Sequence, residues 1–275
     1  VELSLATRNI ETKNFSWTTS FIFSHMKNIV TDLKTYQTVI SYLTGSGYSM
    51  EGMPRGSMFS LRFMGLDEMG IPTFLDKDGN ITSTGIAFQE MSNFSNLKYE
   101  GPTDPTMTGS FGNIFKFKGF TLNVFMTYSF GNVVRLDPIF SNSYSDLTAM
   151  PREFMDRFIS PGDEKITNIP VIASSRQNNS IKNLNMAYNA YNYSDQRVAK
   201  GDFIRLKEVS LGYELPKSAV EKIRLKSLSF KLQGTNLCLL YADKKLEGQD
   251  PEFLNAGGVA VPMPKQITLT CKIGF

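Results

Sequence analysis

Apolar and polar residues alternate with period two along much of this chain, the pattern of a strand with one face in each of two environments. The pattern is clearest near the end. Ile267, Leu269, Cys271, Ile273 and Phe275 share one face, and Thr268, Thr270, Lys272 and Gly274 share the other. Leu228, Phe230 and Leu232 alternate with Ser229, Lys231 and Gln233. Phe120, Leu122, Val124, Met126, Tyr128 and Phe130 alternate with Thr121, Asn123, Thr127 and Ser129, with Phe125 as an intruder. Further strands are expected over Leu3 to Asn9, Phe15 to His25, Met58 to Met64 and Gly109 to Phe117. Asp202 to Glu214 also reads as a strand. Its apolar phase slips from Ile204 and Leu206 to Val209, Leu211 and Tyr213, which a bulge near Lys207 or Glu208 would repair.

The connections are of two kinds. Glu11 to Asn14 and Lys118-Gly119 are short, whereas 131 to 201 and 241 to 264 are long and rich in Gly, Pro, Asn and Asp. Short turns on one side and long loops on the other are the habit of an outer-membrane barrel. Counting back from Phe275 places Lys118-Gly119 and the segment Leu215 to Lys226, which reads as one or two helical turns, on the same side as that terminus. An even number of crossings must separate the two short turns. Met58 to Met64 therefore needs a companion between 66 and 108, which the pattern does not supply.

Composition narrows the choice. The 275 residues include 21 Phe, yet mean hydropathy is slightly negative at -0.19, and no window approaches the roughly 18 apolar residues of a membrane helix. A helical membrane protein is excluded. A transmembrane β-barrel and a soluble β-sandwich that binds carbohydrate both fit. The net charge of +3 is dispersed, with no basic run to follow a phosphate backbone, so nucleic acid is not an expected partner.

Candidate chemistry is sparse. Asp76-Lys77-Asp78-Gly79-Asn80 resembles the start of a calcium loop, but Gly comes too early and Ala87 occupies the twelfth position, where a bidentate Glu is needed. A surface turn is the better reading. His25, the only histidine, has no Gly-x-Ser-x-Gly elbow or metal-spaced companion and reads as a strand-rim residue. Asp67-Glu68 and Asp163-Glu164 lie in loops with no apolar surroundings to raise a pKa, so glycosidase chemistry has no support. Neither catalytic residues, nor a metal, nor a cofactor are expected. Cys238 and Cys271 are expected to act as small apolar side chains in adjacent strands, not as a disulfide. Tyr188, Tyr191 and Tyr193, amid amides in Asn185 to Ser194, are the candidate ligand-binding residues of a loop.

Several segments together resemble a known family. Gly201-Asp202-Phe203-Ile204-Arg205-Leu206-Lys207-Glu208-Val209-Ser210-Leu211-Gly212-Tyr213-Glu214-Leu215-Pro216 is similar to the penultimate-hairpin signature of SusC/RagA-type TonB-dependent transporters. Gly234-Thr235-Asn236-Leu237, Gly248-Gln249-Asp250-Pro251-Glu252 and the strand ending in Phe275 follow at that family's spacing. Glu51-Gly52-Met53-Pro54-Arg55-Gly56, Gly65-Leu66-Asp67 and Lys118-Gly119-Phe120 match upstream, while Cys238 stands where an aromatic is more usual.

The resemblance implies an all-β fold. Residues 1 to 275 would be the C-terminal strands of a large antiparallel transmembrane barrel of about 22 strands, with the plug domain, the TonB box, the N-terminal strands and the export signal outside this chain. It implies TonB-dependent uptake of oligosaccharides or peptides across the outer membrane of a Gram-negative cell, and no enzyme activity. The implied partners are a SusD-like surface lipoprotein, TonB acting through the plug, outer-membrane lipid, and the barrel-assembly machinery, which would read Ile273 and Phe275. A siderophore or cobalamin receptor is the alternative with the same architecture.

Overall fold

The computed structural model describes residues 1–44, 49–139, 152–254 and 264–275. Its strands, in chain order, are β1 (Glu2–Glu11), β2 (Phe15–His25), β3 (Ser57–Leu61), β4 (Phe63–Leu66), β5 (Pro72–Leu75), β6 (Ile81–Thr82), β7 (Leu97–Pro102), β8 (Met107–Phe117), β9 (Phe120–Phe130), β10 (Val133–Arg135), β11 (Val198–Lys200), β12 (Phe203–Glu214), β13 (Ser227–Ala242) and β14 (Gln266–Gly274). The chain divides into two compact units. One contains residues 1–27, 104–132 and 200–275, and the other contains 28–103 and 133–199.

The first unit is a seven-stranded sheet in the order β1-β2-β8-β9-β12-β13-β14. Every neighbouring pair is antiparallel. The two edge strands, β1 and β14, each have one neighbour and an open side. The β8–β9 hairpin closes through Lys118 and Gly119, whose φ of 43° and 89° give the type of turn that matches strand twist. The expected bulge is present, with the register of β12 shifting between Leu206 and Glu208 against both β9 and β13. Phe125, which breaks the alternation of β9, lies opposite Gly112. A Cβ there would come within 3.2 Å of the Phe125 ring, so the missing side chain makes room for it.

The second unit is built differently. Its segments leave the sheet after β2 and after β9, and together they fill one hydrophobic core. Val39, Tyr42, Phe59, Leu61, Ile71 and Phe74 from the first segment join Ile139, Phe154, Leu184, Ala187 and Tyr191 from the second. β3 pairs with β7, and β4, β5 and β6 form a three-stranded sheet. Two helices, α1 (Val39–Thr44) and α2 (Leu184–Asn192), contribute to the core.

Met58 to Met64 is thus not a crossing of the large sheet, contrary to the sequence pattern. The segment is split at Arg62 into β3 and β4, and all five residues of β3 are buried. Its missing companions are β7 for the first half and β5 for the second. Among the described residues no crossing intervenes between β2 and β8, and zero satisfies the even-number requirement. The segment Leu215 to Lys226 does contain a helical turn at Lys217–Val220, with Val220 buried.

Candidate functional site

Antiparallel partners share a face, so the register fixes what each side of the large sheet presents. Leu5, Phe21, Phe111, Met126 and Leu206 form one cross-strand row. Phe117, Phe120, Tyr213, Phe230 and Cys271 form another, and Leu122, Leu211, Leu232 and Leu269 a third. One face is therefore apolar across all seven strands, yet it is open. Ile267 is 79% exposed, Leu269 73% and Phe275 82%. A sandwich would bury this face against a second sheet, and among the described residues nothing packs there.

Aromatic rings gather at the two ends of that face. Near the short turns Trp17 stacks on Phe115 at 5.6 Å and Phe120 meets Tyr213 at 4.3 Å. Near the long connections Tyr128 contacts Phe130, and Phe130 contacts Tyr241, at 5.8 and 6.3 Å. Phe120 and Tyr128 are eight residues apart on β9, about 26 Å along a strand rising about 3.3 Å per residue. Two aromatic girdles flanking an apolar band about 25 Å tall are what a barrel presents to lipid.

Thr7, Asn9, Thr19 and Asn113 interrupt the band as a hydrogen-bonded network. The Trp17 Nε1–H and the Thr19 hydroxyl both donate to Asn113 Oδ1 at 2.9 Å. Asn9 Nδ2 donates to Thr19 Oγ1 at 2.6 Å, and Thr7 Oγ1 donates to Asn9 Oδ1 at 2.8 Å. Such groups are tolerable in an apolar medium when they satisfy one another.

The opposite face carries Thr121, Asn123, Ser210, Ser229, Lys231, Thr270 and Lys272 around a concavity of about 340 Å³. Glu208 accepts a hydrogen bond from Asn123 Nδ2 at 3.1 Å and lies 3.8 Å from Lys231 Nζ. This is a solvated polar surface, suited to a lumen.

At the end of this face nearest the long connections, two of the sequence motifs meet. Arg205 Nη2 donates to both carboxylate oxygens of Asp250 at 2.5 and 2.6 Å, and Glu252 is 3.1 Å away. Arg205 is 7% exposed, and its guanidinium also lies over the Phe203 ring. Asp202 accepts the Gly131 N–H and Asp243 accepts the Lys200 N–H. The Gly201–Pro216 signature and the Gly248–Glu252 motif are therefore one buried, charge-paired joint. Sequence alone marked both but not their pairing.

The expected ligand loop takes another form. Tyr188 and Tyr191 lie on α2 and are buried in the core of the second unit, with the Tyr188 hydroxyl donating to Val171 O at 2.9 Å. Burial pushes the Tyr191 phenol well above its ordinary pKa. Neither ring offers a stacking surface here, because the helix turns both inward. Tyr193 is half-buried, and the Arg135 guanidinium covers its ring at 5.4 Å. Burial lowers Arg135 to a pKa of about 10.

The remaining candidates sit as follows. Ile273 and Phe275 lie on the exposed apolar face, and His25 ends β2. Cys238 and Cys271 are free and exposed. Asp76 accepts the N–H groups of Asp78 and Asn80, so its carboxylate shapes a hairpin turn, and these bonds, Asn80 foremost, lower its pKa. Asp67 accepts from Met69 and Ile71, and Asp163 accepts from Ile159 and Ser160.

The two-faced antiparallel sheet with open edges defines a segment of a large β-barrel. No family model matches the chain, but individual proteins do. It is 26% identical to TonB-dependent receptor P39 of Formosa agariphila over 95% of its length, and 28% identical to TonB-dependent receptor P3 of that organism over 91%. Its fold superposes along its whole length on a chain of the RagAB peptide transporter, with a TM-score of 0.70 at 20% identity, and on the RagAB peptide importer in the closed-closed state, at 0.69 and 21%. The chain is thus similar to part of two TonB-dependent receptors and has the fold of part of a RagA-type barrel. It spans 28% and 24% of the two curated relatives, about a quarter of their length.

Proposed function

We propose that this chain forms part of the barrel wall of a TonB-dependent transporter of the SusC/RagA type in a Gram-negative outer membrane, taking up oligosaccharides or peptides. The observation that carries the reading is the exposed apolar face bounded by two aromatic girdles, backed by a polar face that suits an aqueous lumen. The open sides of β1 and β14 would pair with strands elsewhere in the receptor, since unpaired edges are not tolerated in lipid. The long connections would face outward, where a SusD-like surface lipoprotein would engage them. TonB would act through a plug elsewhere in the receptor, and the assembly machinery would read Ile273 and Phe275.

Cysteine labelling on intact cells tests this topology. In the complete receptor with Cys238→Ala and Cys271→Ala, a cysteine at exposed Asn179 should react and one at exposed Ser218 should not. Equal reaction at both sites would overturn it. Uptake of labelled peptides or oligosaccharides that stops when TonB is deleted would test the activity itself.

A further inference from the structure

A second cavity, of about 380 Å³, is lined by residues of the polar face and by the motif that carries Asp250. Thr108, Thr127, Ser129 and Lys207 line it from the sheet, and Pro251 and Glu252 close its rim. Lys207 is the residue extruded by the bulge in β12, which sits in register with neither Met126 nor Phe125. Its ammonium has no ion pair among the described residues. The carboxylate of Glu252 is instead compensated by Arg205 at 3.1 Å. The hydroxyls of Thr108, Thr127 and Ser129 make no side-chain hydrogen bond among the described residues, although Ser129 is only 9% exposed. Among the described residues the cavity thus presents one cation without an ion pair and three hydroxyls without a side-chain hydrogen bond, and its one lining carboxylate is already paired.

We propose that this cavity binds a carboxylate carried by the transported ligand. Donors lining one partly buried cavity favour an anionic acceptor over a neutral one, because a charge-assisted hydrogen bond is about twice as strong as a neutral one. The carboxylate belongs to an acidic peptide residue or to a uronate sugar, and both present the same group. The assignment rests on the transporter reading above and deepens it. The bulge that restores the phase of β12 then has a second consequence, which is to place an ammonium on the lumenal side.

The test is calorimetric titration of the purified complete receptor, which needs no TonB and so fails or succeeds independently of uptake. One pair of probes is an end-blocked pentapeptide with a single Asp and its Asn counterpart. The other is a trigalacturonate and its methyl ester. The carboxylate member of one pair should bind at least about tenfold more tightly than its neutral counterpart, and the pair that discriminates identifies the source. Lys207→Gln should abolish that difference and Lys207→Arg should retain it, with heat-modifiable gel migration confirming that both variants fold. Equal binding of charged and neutral probes in both pairs, or a preference that survives Lys207→Gln, would overturn the site.

Discussion

The two units of this chain arrange their apolar side chains in opposite senses. In the second unit the large apolar side chains gather in a core, with Phe74 0% and Tyr191 2% exposed, the arrangement of a domain that folds in water. In the large sheet Leu3, Leu5, Phe111, Leu211, Phe230 and Leu269 stand in the open, while Ser110, Ser129 and Ser210 are among the buried residues. On the barrel-wall reading proposed above, one sequence thus encodes two solvents. The difference shows that exposure of a large apolar side chain is informative only once the neighbouring medium is known, and that strand alternation signals a boundary between two media without naming either.

Truncation should break this symmetry most strongly. Phe74→Ala removes a fully buried ring that meets Phe63 edge-on, and should cost the second unit about 3–5 kcal/mol. The measurement is urea-dependent protease susceptibility of that unit in the receptor. Leu269→Ala, on the open face, should leave it unchanged. Equal effects of the two would mean that the units are not physically distinct.

Charge should discriminate the two faces of the sheet. Leu269→Arg places a cation in the apolar band and should cost about 2–4 kcal/mol near the bilayer midplane, whereas Thr270→Arg, on the polar face one residue later, should cost little. Refolding into lipid vesicles against urea reads both. A penalty at Thr270 matching that at Leu269 would remove the assignment of faces.

The polar network on the apolar face sharpens the comparison further. Asn113→Leu leaves the Trp17 Nε1–H and the Thr19 hydroxyl without their shared acceptor, and should cost about 1–2 kcal/mol although it makes the surface more apolar. A gain in stability in the same vesicle assay would mean that these donors find other acceptors.

How much of this was legible in the sequence follows the same division. The large sheet could be read almost strand by strand, because each strand has one face in each medium and so keeps period two over about ten residues. Even the slip at Lys207 was visible as a phase error. The second unit was opaque because β3 is buried on both sides and shows no alternation, and because its core joins segments more than a hundred residues apart. One signal was available. Leu184, Ala187, Tyr188 and Tyr191 recur at helical spacing, which is the pattern of a buried helix face. The joint between Arg205 and Asp250 had no such signal, since pairing across 45 residues leaves no local pattern.

The smallest expected effect is a titration in the water-facing unit. Glu90 is held down to a pKa of about 2 from an ordinary 4.5, first by the Ser92 hydroxyl, then by the Ser92 N–H and by Lys77. The geometry supports this order. Ser92 Oγ donates to Glu90 Oε1 at 2.6 Å, the N–H groups of Ser92 and Met91 follow at 2.9 and 3.0 Å, and Lys77 Nζ lies 3.3 Å from Oε2. A carboxylate whose folded pKa lies below its unfolded value contributes stability above the unfolded pKa and loses it as pH falls through the folded one. Its contribution should therefore be complete above a pH of about 4.5 and vanish towards about 2. Ser92→Ala removes the largest cause and spares the backbone donors, so the Glu90 midpoint should rise yet stay below the ordinary value. Carbon-13 carboxyl titration of the receptor, with Glu90→Gln assigning the signal, reads the midpoint directly. An unmoved midpoint in Ser92→Ala would show that the backbone donors and Lys77 suffice, and that the hydroxyl is not the principal restraint.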